Sequence, residues 1–263
     1  MTEEGRLKMA QTMYALFANQ VRDLVLPDSD EQVMPGIKWG HFDEFFTPAY
    51  WATQAWMAEQ NGTYRSYKLG ETLIEEIAAC LLGGFGMASE MGMAAFRRIR
   101  DAGILSCCTT SEKTIYDLLR EPLNISGRHC HYRYPKQRSK YLHRAIMRLN
   151  TEASVTRNDT DFRNWLLTFP GIGPKTASWI TRNWLNSRSV AVIDIHIHRA
   201  GLLMGIFSPD QTLPRYYFEM EQSYLILAEA IGAHPAVLDN LMWQHMRRMN
   251  GIALEQAHTR AVA

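Results

Sequence analysis

The chain has 263 residues, with 28 lysines and arginines against 27 aspartates and glutamates, a formal net charge of +1. At 46% hydrophobic and 21% charged it is too apolar for an intrinsically disordered chain and has enough material for one large or two small cores. No apolar run approaches the roughly 18–20 residues that span a bilayer, so no membrane partner is expected, and near-neutrality excludes a surface that attracts nucleic acid as a whole.

The N-terminus, MTEEGRLKMAQTMYALF, opens acidic and mixed, and is not expected to act as a signal peptide. Cys80, Cys107, Cys108 and Cys130 are irregularly spaced, which suits reduced thiols and a cytoplasmic location, nucleoid-associated in a bacterium. The aromatic segment from Trp39 to Trp56 reads as core, with the alternative that one ring also stacks on a ligand. Leu73, Ile74, Ile77, Ala78, Leu81 and Leu82 form one helical stripe. Gly83-Gly84-Phe85-Gly86 follows it and lacks the Lys-Ser/Thr of a phosphate loop, so it reads as an interhelical turn. Further stripes lie at Ile115/Leu118/Leu119, Tyr141 to Leu149, Phe162/Trp165/Leu166, Trp179/Ile180/Trp184, Leu202/Leu203/Ile206, Tyr224 to Ile231 and Val237 to Met246. Gly103, Pro122, Gly171 to Pro174, Pro209, Pro214 and Pro235 separate them, which predicts ten or more helices. Only Val190–Ile195 looks β-like, and a single such run is expected to be an extended connector. Arg128-His129-Cys130-His131 after Cys107-Cys108 could ligate zinc, but with no C-x-x-C pair plain thiols are the expectation.

The chemistry concentrates in Leu167-Thr168-Phe169-Pro170-Gly171-Ile172-Gly173-Pro174-Lys175-Thr176. A helix ends near Thr168, two glycines make a tight turn, and Pro174 suits the first position of a second helix, giving a helix-hairpin-helix over about 160–186. Gly171 and Gly173 let a phosphate approach the backbone, and the free amides of the second helix's first turn form an anion site. An ordinary interhelical turn would look similar without Lys175. At the second helical position the dipole disfavours its positive charge and favours the neutral amine needed for nucleophilic attack. Asp194, nineteen residues on, suits the N-cap of the helix through Leu202 and Ile206, among apolar neighbours where its carboxylate could stabilise positive charge on a sugar.

Residues 167–199 closely resemble the signature of the helix-hairpin-helix DNA glycosylase superfamily, with lysine and aspartate as in its bifunctional members. His131-Tyr-Arg-Tyr-Pro-Lys-Gln-Arg-Ser-Lys-Tyr-Leu-His-Arg144 resembles a basic helix start of the same enzymes. The length and lack of an N-terminal β domain look most like the type-2 8-oxoguanine glycosylases. The resemblance implies an all-α fold of two helical domains flanking a DNA-binding cleft, one domain from residues 1–66 and 200–263 and a central one over 67–199. It implies a base-flipping DNA glycosylase and AP lyase acting on double-stranded DNA as a monomer. Lys175 would attack C1′, and Asp194 would stabilise the oxocarbenium-like transition state. Gly171, Gly173 and Thr176 amides with His196 would hold phosphates, and Asp239 and Trp243 would line the base pocket. Carbonyls of Leu167, Phe169 and Ile172 would hold a structural K+ or Na+. No cysteine follows Cys130, so no iron-sulfur cluster is expected. The competing functions are excision of another modified base from foreign or phage DNA, and non-catalytic DNA binding, which would need neither Lys175 nor Asp194.

Between Glu121 and Arg148 stand seven basic residues, among them Arg133, Lys136 and Arg138, against Glu121 alone. A solvated helix face would account for them, but their place just before the hairpin suits a phosphate-binding wall.

Overall fold

The structure, a computed structural model, describes residues 9–62, 67–84, 86–106, 110–154, 158–249, 251 and 255. The chain divides into two compact units, Met1–Arg65 with Ala191–Ala263, and Ser66–Val190. The second break precedes Asp194 and its helix, whereas the sequence suggested residue 199.

The terminal unit opens with an antiparallel hairpin of β1 (Gln11–Phe17) and β2 (Gln20–Leu26), in register from Gln11 opposite Leu26 to Phe17 opposite Gln20. Its turn residues Ala18 and Asn19 both have positive φ, 46° and 65°, which matches the twist of a two-residue hairpin. A second small hairpin joins β3 (Gln32–Met34) to β4 (Ile37–Lys38). The expectation that residues 1–66 are helical therefore fails over Gln11–Lys38. The cause is visible in Met13-Tyr14-Ala15-Leu16-Phe17. Both faces of β1 are apolar, so no period-two alternation marks it. The inward face carries Phe17, edge-on to Trp56 at 5.1 Å, while Tyr14 and Leu16 remain 70% and 67% exposed. Helix α1 (Pro48–Gln60) starts at Thr47, whose hydroxyl accepts the Tyr50 amide at 3.0 Å. Phe46, Tyr50 and Trp51 are buried, so the aromatic segment is core.

In the central unit, α2 (Leu73–Leu82), α3 (Ser89–Asp101) and α4 (Glu112–Arg120) lead to a short hairpin of β5 (Leu123–Ile125) and β6 (Arg128–Cys130). Then come α5 (Pro135–Leu149), α6 (Asp159–Leu167) and α7 (Pro174–Leu185). Thr72, Ser111 and Asn158 cap α2, α4 and α6 by accepting an amide three residues on. The stripes of α2, α4 and α5 meet in one core with Phe96 and Ile99, while Ile77, Phe162, Leu166 and Ile180 build a second under the hairpin. Gly83-Gly84 lies in the turn after α2, as expected, with Phe85 outside the described residues.

Val190–Ile193 runs extended without pairing to a strand. Its polar groups are met by side chains: Ala191 donates to Glu221 Oε1 at 3.0 Å, and the Tyr217 hydroxyl donates to the Ala191 carbonyl at 2.8 Å and accepts the Ile193 amide at 3.3 Å. It feeds α8 (Ile195–Met204), followed by α9 (Tyr217–Ala230) and α10 (Pro235–Arg248). The molecule is thus mostly helical, with three two-stranded sheets among the described residues. None of the described helices is by itself long and apolar enough to cross a membrane.

Candidate active site

Within the central unit, α6 and α7 form the hairpin the sequence predicts. Gly171 has a φ of 84°, and a Cβ there would run into the Tyr141 ring, so both conformation and close approach require glycine. Gly173 is different. Its φ of −93° and ψ of −179° are open to any residue, and a Cβ would meet nothing within 4 Å. The space before it faces outward, and as N-cap it offers no side-chain bond to the first turn of α7. Pro174 then opens the helix, with Lys175 and Thr176 half-buried behind it.

The turn is clamped from α5. Arg148 donates to Thr168 Oγ1 at 2.7 Å and to Glu152 at 2.6 and 3.0 Å, and its guanidinium lies 4.1 Å from the Phe169 ring centroid. Trp165 Nε1 also donates to Glu152, at 2.7 Å, and Arg148 with Trp165 holds the Glu152 carboxyl down at about 2. Arg148 therefore braces the hairpin and leaves the basic wall. Arg133, Lys136, Lys140 and Arg144 are exposed, the last three one turn apart along α5. Arg133 also donates to the Gly86 carbonyl at 3.2 Å and lies over the Tyr134 ring. Arg138 is half-buried beside Tyr132, whose phenol burial pushes up against the pull of that charge.

In the terminal unit, Asp194 caps α8. Its Oδ1 accepts the amides of His196 at 2.8 Å and Ile197 at 3.0 Å, which fixes the carboxylate at the positive end of the helix. α10 packs on α8, and the His196 ring meets Trp243 edge-on with centroids 6.4 Å apart. Asp239, buried, lies one turn before Trp243. Arg247, one turn after it, covers the indole at 5.2 Å. The structure thus groups His196, Asp239 and Trp243 on two packed helices of one unit, and Gly171, Gly173, Lys175 and Thr176 on the hairpin of the other. The Phe169 carbonyl accepts the Ile172 amide at 3.1 Å, and Leu167 ends α6 just before it.

Two structural roles went unread in the sequence. His198 Nε2 bonds to the Gln211 carbonyl at 2.7 Å and its ring stacks on Phe207, so it anchors the stretch after α8. The Arg148 clamp includes an i,i+4 pair with Glu152, but its bond to Thr168 spans 20 residues, and no periodic signal marks that. Cys107 and Cys108 lie outside the described residues, and among the described residues no group of three His, Cys, Asp or Glu side chains could hold a metal.

A family model described as 8-oxoguanine DNA glycosylase matches residues 58–233. No curated protein sequence matches the chain. Among solved structures, the 8-oxoguanine DNA glycosylase of Thermotoga maritima is similar with a TM-score of 0.59 and 22% identity, covering 77% of this chain and 96% of that one. The 8-oxoguanine DNA glycosylase of Methanocaldococcus jannaschii gives a TM-score of 0.54 at 23% identity, over 75% of this chain and 86% of that one. At such identities the structural likeness speaks to the fold.

Proposed function

The chain belongs to the 8-oxoguanine DNA glycosylase family, and from that premise we propose that it extrudes a damaged purine, 8-oxoguanine first, from duplex DNA and excises it with Lys175 as nucleophile. The amine attacks C1′ as the N-glycosidic bond breaks, and the departing base takes the bonding pair and a proton. Opening of the sugar leaves a Schiff base on Lys175. Loss of a C2′ proton then expels the 3′ phosphate by β-elimination, which nicks the strand.

The observation that carries this reading is the pairing, on one element, of Lys175 with a turn whose outward space at Gly173 is open for a phosphate. Asp194 adds a carboxylate fixed by hydrogen bonds from two backbone amides, suited to stabilise the oxocarbenium-like transition state without moving. Trp243, with Asp239 one turn before it, suits an extruded base, an aromatic face and a polar group replacing lost stacking and pairing, and His196, edge-on to that indole, would hold a flanking phosphate. A monovalent cation would sit on the carbonyls of Leu167, Phe169 and Ile172, where the Phe169 oxygen has a second lone pair beyond the Ile172 bond.

Borohydride trapping on a duplex carrying 8-oxoguanine tests it. A covalent adduct is expected with the native chain and none with Lys175→Gln. Equal trapping by both, or none with any modified base, overturns the nucleophile. Asp194→Asn should bind the same duplex and release base about 10²–10³-fold more slowly; an unchanged rate removes Asp194 from the mechanism. Release of a different modified base and not 8-oxoguanine would replace the substrate and keep the chemistry.

A further inference from the structure

Resting on Lys175 as the nucleophile, we propose that Trp179 is its positioning residue and that the Gly83 backbone behind the ring, held in turn by the close approach of Gly92, keeps Trp179 in place. Lys175 and Trp179 lie four residues apart on α7 and therefore on one face of the helix. The Lys175 Nζ lies 5.8 Å from the centre of the Trp179 indole, within the roughly 6 Å over which an aromatic face draws the resting ammonium, which gives up its proton before it attacks. A lysine has four rotatable bonds and no fixed reach. The indole, with only two, restricts where that amine can wait.

The ring is backed by backbone. A Cβ on Gly83 would stand 3.5 Å from Cη2 and 3.7 Å from Cζ3 of Trp179, and 3.3 Å from the Ala79 carbonyl. Gly83 has φ −89° and ψ −153°, a conformation open to other residues, so the limit there is space: a Cβ would be in ordinary contact with the indole and tight only against the Ala79 carbonyl. The next layer repeats the device. A Cβ on Gly92 of α3 would come 2.9 Å from the Gly83 Cα and 3.3 Å from its nitrogen. Both glycines are buried. Backbone of α3 thus presses on backbone after α2, which lies along the indole edge, and the indole lies under the lysine. This assigns the Gly83-Gly84 turn a role that its sequence did not disclose.

Single-turnover borohydride trapping and base release on an 8-oxoguanine duplex, with affinity measured on a duplex carrying a tetrahydrofuran abasic analogue, test this succession of layers. Trp179→Leu should slow trapping by about 10²-fold, the cost of a reacting group misplaced by about an ångström, with affinity for the analogue unchanged. Trp179→Phe, which keeps an aromatic face, should recover most of the rate. Gly92→Ala touches neither Trp179 nor Lys175, but must shift Gly83. It should lower the trapping rate and leave the half-saturating protein concentration alone, which a loss of folded protein or of DNA affinity would not do. Should Trp179→Leu fail to fold, Trp179→Phe and Gly92→Ala still decide. Native trapping that is lost in Lys175→Gln and retained at full rate in the folded Trp179 and Gly92 variants overturns the positioning role alone. Trapping that survives in Lys175→Gln overturns the nucleophile, and this role with it.

Discussion

Glu76 is fully buried at the start of α2, and its carboxylate accepts the amides of Leu69 at 2.6 Å and Gly70 at 3.1 Å together with Asn183 Nδ2 at 2.7 Å. Arg182 donates to Asn183 Oδ1 through two of its nitrogens, and its guanidinium rests over Tyr67 at 5.0 Å. The Cys80 thiol points at the same carboxylate, and burial raises it far above its ordinary range, so it stays protonated and inert. Asn183 thus ties α7, the helix of Lys175, to α2. Asn183→Ala leaves a buried carboxylate oxygen short of a donor and should cost about 1–3 kcal/mol in urea denaturation; an unchanged midpoint would show that the bond contributes nothing. Glu152 supplies a pH-dependent counterpart. Its folded value of about 2 lies below the ordinary 4.5, so its contribution to stability is present above about 4.5 and is lost as pH falls toward 2. Between neutral pH and pH ~3, Glu152→Gln should therefore lose less of its melting temperature than the native chain does. Equal losses would contradict the clamp on Arg148.

At the level of elements, α5 presents Lys136, Lys140 and Arg144 as one exposed stripe, while Arg148 at its end is occupied by Glu152 and Thr168. Replacing the three stripe residues with alanine should flatten the salt dependence of duplex binding by about 0.9 in slope for each phosphate left without its basic partner, where Arg148→Ala should act through stability. A slope unaltered in the triple variant would deny the stripe a phosphate-binding role. The same helix shows what the sequence discloses. Its stripe from Tyr141 to Leu149 was legible because one face is buried and the other charged, and so were those of α2, α4 and α7. The aromatic Trp39–Trp56 segment has no such contrast: Pro48 through Ala55 are buried almost without interruption, so α1 leaves no periodic trace. β1 is hidden because both its faces are apolar over residues 13–17, β2 because Arg22 and Asp23 put a charge on each of its faces, and Ala18-Asn19 is a turn without the glycine that usually signals one. The hairpin was legible because Gly171, Gly173, Pro174 and Lys175 are close neighbours in the chain. The bond of Asn183 to Glu76 spans 107 residues, and no local pattern announces it.

For the whole molecule, a net charge of +1 conceals the uneven distribution that α5 displays, and the division into units separates the candidate groups. Ser66–Val190 is one unbroken stretch with two hydrophobic cores drawn entirely from its own residues. It contains the α5 stripe, the hairpin, Lys175 and the Gly83–Trp179 backing. Asp194, His196, Asp239 and Trp243 all belong to the other unit, which is assembled from both chain ends. A fragment limited to residues 66–190 should therefore fold and melt cooperatively, since a contiguous chain with its own cores meets the requirement for independent folding. It should bind duplex DNA with a salt dependence set by Lys136, Lys140 and Arg144. Borohydride should trap Lys175 on a preformed abasic site, because condensation of an amine with an aldehyde needs no base pocket. Release of 8-oxoguanine should be absent, because the groups proposed to stabilise the sugar cation and to hold the base are missing from the fragment. A circular dichroism melt, an abasic-site adduct on a denaturing gel and a base-release assay check each step in turn. A cooperative fragment that excises 8-oxoguanine at the rate of the full chain would remove Asp194, His196, Asp239 and Trp243 from the reaction together, and a fragment without a cooperative melt would show that its cores depend on the terminal unit.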